Sequence, residues 1–132
     1  MATDVFLDSN VLLYLFSADV KKIGRVQELV DDEPFISVQV LNEFVNVARR
    51  KYSASWEAID DMLVPIKSAC RVESVALTTH ELAVRIAATA RIHIYDANIV
   101  AAAQLAGCHT LMTEDLNPGQ RFGGVTIRNP FV

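Results

Sequence analysis

Short apolar segments alternate with longer segments of helical periodicity along the whole chain. This alternation constrains the fold more than any other feature of the sequence. Strands separated by helices cannot pair as simple hairpins, so they form a parallel sheet with helices on its faces. The pattern predicts an α/β fold with a central parallel sheet of about five strands flanked by helices. The predicted strands are 5–7, 35–37, 72–75, 111–112 and 125–127.

The segments between these strands carry recognisable helix signals. A short helix is expected from about residue 11 to 16, and Asp19 can cap the next one. A clear amphipathic helix runs from 38 to about 51. A further helix runs from about 56 toward 63, where Pro65 leaves its end open.

The last two helices are predicted from caps and composition. Thr78 and Glu81 have the spacing of a capping box, which predicts a helix ending near Ala90. Asp96 then opens an alanine-rich helix over 97–106 that stops at Gly107. Because the alanine-rich helix is nearly all small and apolar, we expect it to lie sandwiched in the core.

The composition is that of one ordinary globular domain. The chain has 132 residues, of which 52% are hydrophobic and 21% charged, and it shows no repeat or linker. We therefore expect a single domain over 1–132. A chain of this length buries roughly two thirds of its unfolded surface, so it folds without a metal or disulfide. Any bound metal is expected to serve chemistry.

The sequence also suggests a location. No apolar run approaches the roughly 18 residues that a membrane span needs, and the first residues lack the basic region of a signal peptide. Cys70 and Cys108 lie among apolar neighbours without a paired zinc spacing. We expect them to be reduced core residues of a cytoplasmic protein with no membrane partner.

The charge balance does not decide between function classes. The formal net charge of −4 argues against nucleic-acid binding when it is taken alone. A cluster of catalytic acids would lower the net charge without removing basic residues elsewhere. Two basic groups are present, each readable as a solvated helix face: Lys21, Lys22 and Arg25, and then Arg49, Arg50 and Lys51.

Four acidic residues are candidates for an active site, and each has a structural alternative. Asp8 and Asp96 precede predicted helices, where a carboxylate often serves only as a cap. Glu43 lies at the margin of an apolar helix face, and a surface ion pair with Arg50 or another nearby base would also explain it. Asp115 lies in good turn sequence.

As a set, the four acids point to metal-assisted phosphoryl chemistry. Asp8 follows the first strand and Asp115 the fourth, so both should emerge at the carboxyl edge of the sheet. Mg²⁺ prefers oxygen ligands, and a cation offsets the repulsion between crowded carboxylates. Such a site polarises a phosphoryl oxygen and activates water, which suits phosphodiester hydrolysis.

Four short motifs carry a resemblance to a known family. The segments are 6–12, 42–44, 95–97 and 111–115, and they occur in the family's order. On these motifs the sequence resembles the PIN domain, and it is most similar to the VapC-like ribonuclease toxins of type II toxin–antitoxin systems. The resemblance covers essentially the whole chain, including its ending over 123–131.

The resemblance implies roles for particular residues. Asp8, Glu43 and Asp96 match the acids that hold the metal in the family. Asp115 matches the fourth, more variable acid, with Glu114 as its rival. Two polar residues match positions that support the acids or the attacking water: Asn10 and Thr113.

The resemblance also implies an activity and partners. Family members are Mg²⁺-dependent endoribonucleases, with Mn²⁺ as a possible substitute, that leave a 5′-phosphate and a 3′-hydroxyl. They act on RNA, commonly form homodimers, and are held inactive by a cognate antitoxin.

The sequence favours this enzyme over the alternatives. It contains no glycine-rich phosphate loop, and Asp8 lacks the second aspartate that a haloacid-dehalogenase-like phosphatase needs two residues on. A catalytically weak module that keeps the fold and binds RNA or antitoxin is the main alternative. Such a module usually loses one of the acids, whereas this chain keeps all four.

Overall fold

The computed structural model describes residues 4–132, and strands and helices alternate through them as expected. The strands are β1 (Val5–Leu7), β2 (Phe35–Ser37), β3 (Arg71–Glu73), β4 (Thr110–Met112), β5 (Arg121–Phe122) and β6 (Val125–Arg128). The helices are α1 (Ser9–Leu13), α2 (Val20–Asp31), α3 (Val38–Tyr52), α4 (Trp56–Ala69), α5 (Leu77–Ala90) and α6 (Ile94–Leu105). A 3₁₀ turn over Tyr14–Phe16 extends α1.

The strands form one sheet in the order β3-β2-β1-β4-β6-β5. All neighbouring strands are parallel except β5 and β6, which pair as an antiparallel hairpin. The predicted α/β fold with a parallel sheet is therefore confirmed. The short strand β5 was missed because its two residues lie inside a stretch that otherwise has turn composition.

The strand order creates a crevice at the centre of the sheet. The chain proceeds from β1 outward to β2 and β3, and then returns to place β4 and β6 on the other side of β1. In open α/β sheets, ligands bind at the carboxyl ends of the strands where the order reverses. Here that position is the pair of ends of β1 and β4.

The core lies between the central strands and the alanine-rich helix. Phe6, Leu7 and Leu111 are fully buried on β1 and β4. Helix α6 is buried along most of its length, as expected, and Ala97 and Ala101 pack against Ala83 of α5. Small side chains at this contact allow the two helices to approach closely.

Two helix starts follow the sequence closely. Asp19 Oδ1 accepts a hydrogen bond from the Lys22 amide at 3.1 Å, so the predicted cap of α2 is confirmed. Ser37 caps α3 in the same way, because its Oγ accepts from the Val40 amide at 3.3 Å. Each cap satisfies a backbone N–H that the first helical turn would otherwise leave unpaired.

Two other predicted helix starts were wrong. Helix α5 begins at Leu77, where the Thr79 hydroxyl accepts from the Ala76 amide at 3.1 Å, so Thr78 and Glu81 do not form the capping box. Helix α6 begins at Ile94 rather than after Asp96. His93 caps this helix by accepting at Nδ1 from the Tyr95 amide, at 3.1 Å.

Helix α4 continues through Pro65 to Ala69, well past the expected end near residue 63. Proline removes one hydrogen bond to the carbonyl four residues earlier, which belongs to Asp61. Both Pro65 and Asp61 are exposed, so water can reach this part of the helix. The buried Ile59 and Ile66 hold both halves of the helix against the core.

The two cysteines are buried and unpaired, as the sequence suggested. Burial raises the pKa of Cys70 to about 11 and that of Cys108 to about 12, so both are neutral thiols near pH 7. No helix in the described part of the chain is long and apolar enough to cross a membrane.

Candidate active site

The four acids predicted from the sequence come from four different elements and meet at the carboxyl edge of the sheet. Asp8 follows β1, Glu43 lies on α3 after β2, Asp96 lies in the first turn of α6, and Asp115 follows β4. The charge of Glu43 acts on Asp8, and the charge of Asp96 acts on Glu43. Asp115 acts on all three of the others. The structure therefore brings all four into one electrostatically coupled group.

Asp8 is the most buried member of the group, with 4% of its surface exposed. Its Oδ1 accepts a hydrogen bond from the Ser9 amide at 2.7 Å, and its Oδ2 accepts from the Thr113 hydroxyl at 2.9 Å. Burial nevertheless raises the pKa of Asp8 to about 7, and the charges of Glu43 and Asp115 add to this rise. The carboxylate is both a cap of α1 and an anion in a poorly hydrated place.

Glu43 and Asp96 are half-buried, and burial is the main cause that raises the pKa of each. The charges of Asp96 and Asp115 raise the pKa of Glu43 further, although Gln39 Nε2 donates a hydrogen bond to its Oε2 at 3.0 Å. Glu43 forms no ion pair with Arg50, so that alternative is wrong. Asp96 is not the cap of its helix, so capping does not explain it either.

None of the four acids has a lysine or arginine partner among the described residues. The ion pairs in that part of the chain are Lys22–Glu114, Arg25–Glu28 and His109–Asp4. Buried carboxylates that lack a counter-ion are costly, which is why their pKa values rise. The four acids therefore have no lysine or arginine to balance their charge, and a positively charged ligand could balance it instead.

The donor set fits a hard divalent cation. It consists of carboxylate oxygens, which are the ligands that Mg²⁺ prefers, and a cation would offset the repulsion among them. As they stand, no three described acidic, histidine or cysteine side chains are arranged around a common point. Negatively charged carboxylates without a counter-ion repel one another, which favours this separation of the acidic side chains.

Thr113 links the acids from a fully buried position. Its hydroxyl donates to Asp8 and accepts hydrogen bonds from Asn10 Nδ2 and the Asp115 amide, both at 3.1 Å. A hydroxyl has one donor and two acceptor positions, so all are used. Asn10 Oδ1 also accepts from the Glu114 amide at 3.3 Å. Asn10 and Thr113 thus fix the turn after β4 against Asp8.

The structure separates Asp115 from its rival Glu114. Glu114 Oε1 accepts a hydrogen bond from the Tyr14 hydroxyl at 2.9 Å, and its Oε2 lies 3.8 Å from Lys22 Nζ. Lys22 Nζ also lies 3.2 Å from the Tyr14 hydroxyl and over the Tyr14 ring. Glu114 is therefore held by Tyr14 and Lys22, whereas Asp115 joins the other acids.

Sequence reasoning missed the roles of Tyr14 and Lys22. The one local signal was that Tyr14 follows Asn10 by four residues, which places the two side chains on the same side of a helical segment. Their partner Glu114 lies about a hundred positions away in sequence.

A protein-family model matches most of the chain. Residues 5–120 match the model of the PIN domain. The chain belongs to the PIN domain family. The sequence resemblance to this family is thereby confirmed, and Asp8, Glu43, Asp96 and Asp115 all lie within the matched part. A search of curated proteins gives no match.

Solved structures share the fold of this PIN domain. A toxin–antitoxin complex from Klebsiella pneumoniae is 22% identical with a TM-score of 0.70, and the match covers 96% of this chain and 97% of that one. VapC20 of Mycobacterium tuberculosis, a toxin that cleaves the sarcin–ricin loop, is 19% identical with a TM-score of 0.67 over 84% and 89%. DNA-bound VapBC of Salmonella typhimurium is 22% identical with a TM-score of 0.69 over 98% and 99%.

Proposed function

We propose that this PIN domain is a metal-dependent endoribonuclease that hydrolyses RNA phosphodiesters to 5′-phosphate and 3′-hydroxyl ends. The observation that carries the proposal is the group of four coupled carboxylates, without a lysine or arginine partner among the described residues, at the switch point of the sheet. Membership of the PIN family supports it. The likeness to a toxin that cleaves the sarcin–ricin loop agrees with RNA as the substrate class.

We assign the metal to Asp8, Glu43 and Asp96, with Mg²⁺ as the expected ion and Mn²⁺ as a substitute. When bound, the cation polarises a phosphoryl oxygen and lowers the pKa of a bound water. Asp115 is exposed at the rim of the group, where water and substrate arrive, and we assign it to orienting water or assisting a second ion.

The surrounding residues keep the acids in position. Thr113 contributes one hydroxyl to both Asp8 and the backbone of Asp115, so these two acids cannot move independently. Asn10 holds that hydroxyl and the Glu114 amide from the opposite side. Preorganised groups of this kind lower the reorganisation needed when charge develops during the reaction.

We further propose that the enzyme is the toxin of a toxin–antitoxin pair and acts in the cytoplasm. Solved structures that share its fold include a toxin–antitoxin complex and a DNA-bound VapBC assembly. A cognate antitoxin is therefore the expected protein partner. The family resemblance alone makes a homodimer the expected assembly. Co-expression with the product of a neighbouring short reading frame should abolish cleavage, and light scattering should give twice the chain mass.

The central test is RNA cleavage by antitoxin-free protein. A pool of cellular RNA is incubated with the wild type in Mg²⁺, Mn²⁺ or EDTA, beside the variant Asp96→Asn. Asp60→Asn is the matched control, because Asp60 is exposed on α4 and away from the four acids. We expect cleavage by the wild type and by Asp60→Asn in either metal, none in EDTA, and none by Asp96→Asn.

Two results would change the proposal. Equal cleavage by Asp96→Asn and the wild type would contradict the assignment of the acids. A folded wild-type protein that neither binds Mn²⁺ in a calorimetric titration nor cleaves RNA would instead support the catalytically weak RNA- or antitoxin-binding module.

A further inference from the structure

Individual members of the two basic groups differ in how far their charges are already used: Arg49 donates to the Ala54 carbonyl at 2.9 Å, for example, whereas Lys21 has no ion pair with a described residue. In the first group, Lys22 is held by Tyr14 and Glu114. Arg25 donates to the Pro130 carbonyl at 2.9 Å and pairs with Glu28. In the second group, Lys51 forms no hydrogen bond or ion pair with any described residue. Its charge is available to a ligand.

Lys51 lines a groove that also contains Asp115, one of the four acids. The groove has a volume of about 270 Å³ and lies between α1, α3 and the turn after β4. Asn10, Glu114 and Asp115 line it, and Lys51 and Tyr52 belong to the α3 wall. Lys51 follows Glu43 by eight residues, which is about 12 Å along the helix. Val47 lies halfway between them and also lines the groove.

This spacing suits the nucleotide next to the scissile bond. The acids repel phosphate groups, so a bound RNA strand needs positive charge beside them. The backbone of Lys51 lies about 12 Å along the helix from that of Glu43, so its side chain is placed to contact a phosphate next to the scissile one. Among the residues that line the groove, Lys51 is the basic one that can make this contact.

Tyr52 adds an aromatic surface beside Lys51. Its side chain is 68% exposed and forms no hydrogen bond or ring contact with a described residue. Exposed aromatic rings next to basic side chains are the usual platform for single-stranded nucleic acid, because every base has a face that can stack.

Helix capping alone does not account for Lys51. A lysine in the last turn favours the helix dipole, but Arg49 and Arg50 already occupy that turn of α3. Lys67 likewise lies in the last turn of its helix, α4, without lining this groove. It therefore provides a matched comparison for the loss of a lysine at a helix end.

We propose that the groove is a nucleotide subsite, in which Lys51 binds a phosphate flanking the scissile bond and Tyr52 stacks on the adjoining base. The inference rests on the proposed RNA hydrolysis and names where the strand runs beyond the acids. It also explains how a chain with a net charge of −4 attracts a polyanion, because the positive charge of Lys51 lies in the groove where the strand binds.

The first test measures the salt dependence of RNA binding. Asp96→Asn protein in Mg²⁺ is titrated into a fluorescein-labelled, random-sequence, short single-stranded RNA, and anisotropy is followed at several salt concentrations. In Lys51→Met, loss of one phosphate contact should make the negative slope of log K against log salt shallower by about 0.7. The slope should be unchanged in Lys67→Met. Equal slopes for Lys51→Met and Lys67→Met would overturn the phosphate contact.

The second test separates stacking from other roles of Tyr52. We expect Tyr52→Ala to bind the same RNA about tenfold more weakly. Tyr52→Phe, which keeps the ring, should bind like its parent. If Tyr52→Phe were as weak as Tyr52→Ala, the stacking role would be wrong. Thermal unfolding of each variant verifies that these exposed positions leave the fold intact.

Kinetics on the wild-type background distinguish this inference from the proposed function. Lys51→Met and Tyr52→Ala should raise KM and leave kcat within about twofold, as expected for contacts made equally in the ground and transition states. Cleavage by the wild type with an unchanged KM in both variants would reject the subsite and keep the nuclease. If both variants weakened only the complex with the antitoxin, the groove would be a protein-docking site and the subsite would be rejected.

Discussion

Asp8 shows how one residue can serve both the fold and the chemistry. Its Oδ1 caps α1 through the Ser9 amide, and its Oδ2 holds the Thr113 hydroxyl. An asparagine could supply the cap with its Oδ1, but its Nδ2 cannot accept a hydrogen bond from the Thr113 hydroxyl. Nor could Nδ2 donate to that hydroxyl, because both acceptor positions of Thr113 are already used. The requirement for two acceptor oxygens therefore selects aspartate at this position.

The raised pKa of Asp8 predicts a pH dependence of stability in the metal-free protein. Asp8 titrates near 7 in the folded state and at the ordinary value of 3.8 in the unfolded chain. Between these values the folded state holds a proton that the unfolded state has released. The free energy of unfolding should therefore fall as the pH rises, by up to about 1.4 kcal/mol per pH unit.

Urea unfolding in EDTA between about pH 4 and pH 7 measures this slope. The slope should be shallower in Asp8→Asn, and the comparison uses slopes because the substitution also disturbs the bond to Thr113. Glu43 and Asp96 shift in the same direction and will leave part of the slope in the variant. Identical slopes in the two proteins would contradict the burial of a charged Asp8.

At the scale of elements, the turn after β4 decides which acid enters the site. Consecutive residues of this turn point to different partners, Glu114 toward Tyr14 and Asp115 toward the other acids. The Thr113 hydroxyl and Asn10 fix the backbone that separates them. The anchored turn therefore gives its two consecutive carboxylates different partners.

This arrangement predicts unequal effects of two similar substitutions. Glu114→Gln keeps an oxygen for the Tyr14 hydroxyl, so RNA cleavage should stay within about twofold of the wild type. Asp115→Asn removes a charge from the coupled group and should lower kcat by at least about tenfold. Single-turnover cleavage of one RNA compares them directly. A loss in Glu114→Gln as large as that in Asp115→Asn would make Glu114 the functional acid.

Local chemistry explains which elements could be predicted from the sequence. The caps at Asp8 and Asp19 and the apolar strands were correct because short-range hydrogen bonding and burial determine them. Thr78 failed as a cap because Thr79, one position later, satisfies the backbone instead. Pro65 failed to end α4 because buried residues on both sides hold the helix. Tertiary packing overrides propensity in such cases.

At the scale of the whole molecule, the strand order assembles a site that no local segment contains. The acids were found from the sequence because three of them follow a strand or lie at a helix start, because Glu43 lies at the margin of an apolar helix face, and because four motifs resemble one family. The resemblance supplied Asn10 and Thr113 as supporting residues, but not the hydrogen bonds that they form. Glu114 and Tyr14 lie 100 residues apart, and Thr113 lies 105 residues from Asp8. One sequence does not report such pairings.

Metal binding should be visible in the stability of the whole domain. A ligand that binds only the folded state at 100 times its Kd stabilises that state by about 2.7 kcal/mol. We expect Mg²⁺ to raise the free energy of unfolding of the wild type and of Asp60→Asn relative to EDTA. Glu43→Gln should gain less, because it removes one of the assigned ligands. An equal gain in all three proteins would place the bound Mg²⁺ elsewhere.

The sheet order also divides the molecule in a way that suggests a use. Residues up to Ser74 form the strands β3, β2 and β1, and the remainder forms β4, β6 and β5, so each half of the chain is also a contiguous half of the sheet. Two acids belong to each half, and the seam between the halves runs between β1 and β4. A chain cleaved in the loop after β3 would leave two fragments that are each inert. Nuclease activity would then report their reassembly, which makes this domain a natural candidate for a split-enzyme sensor.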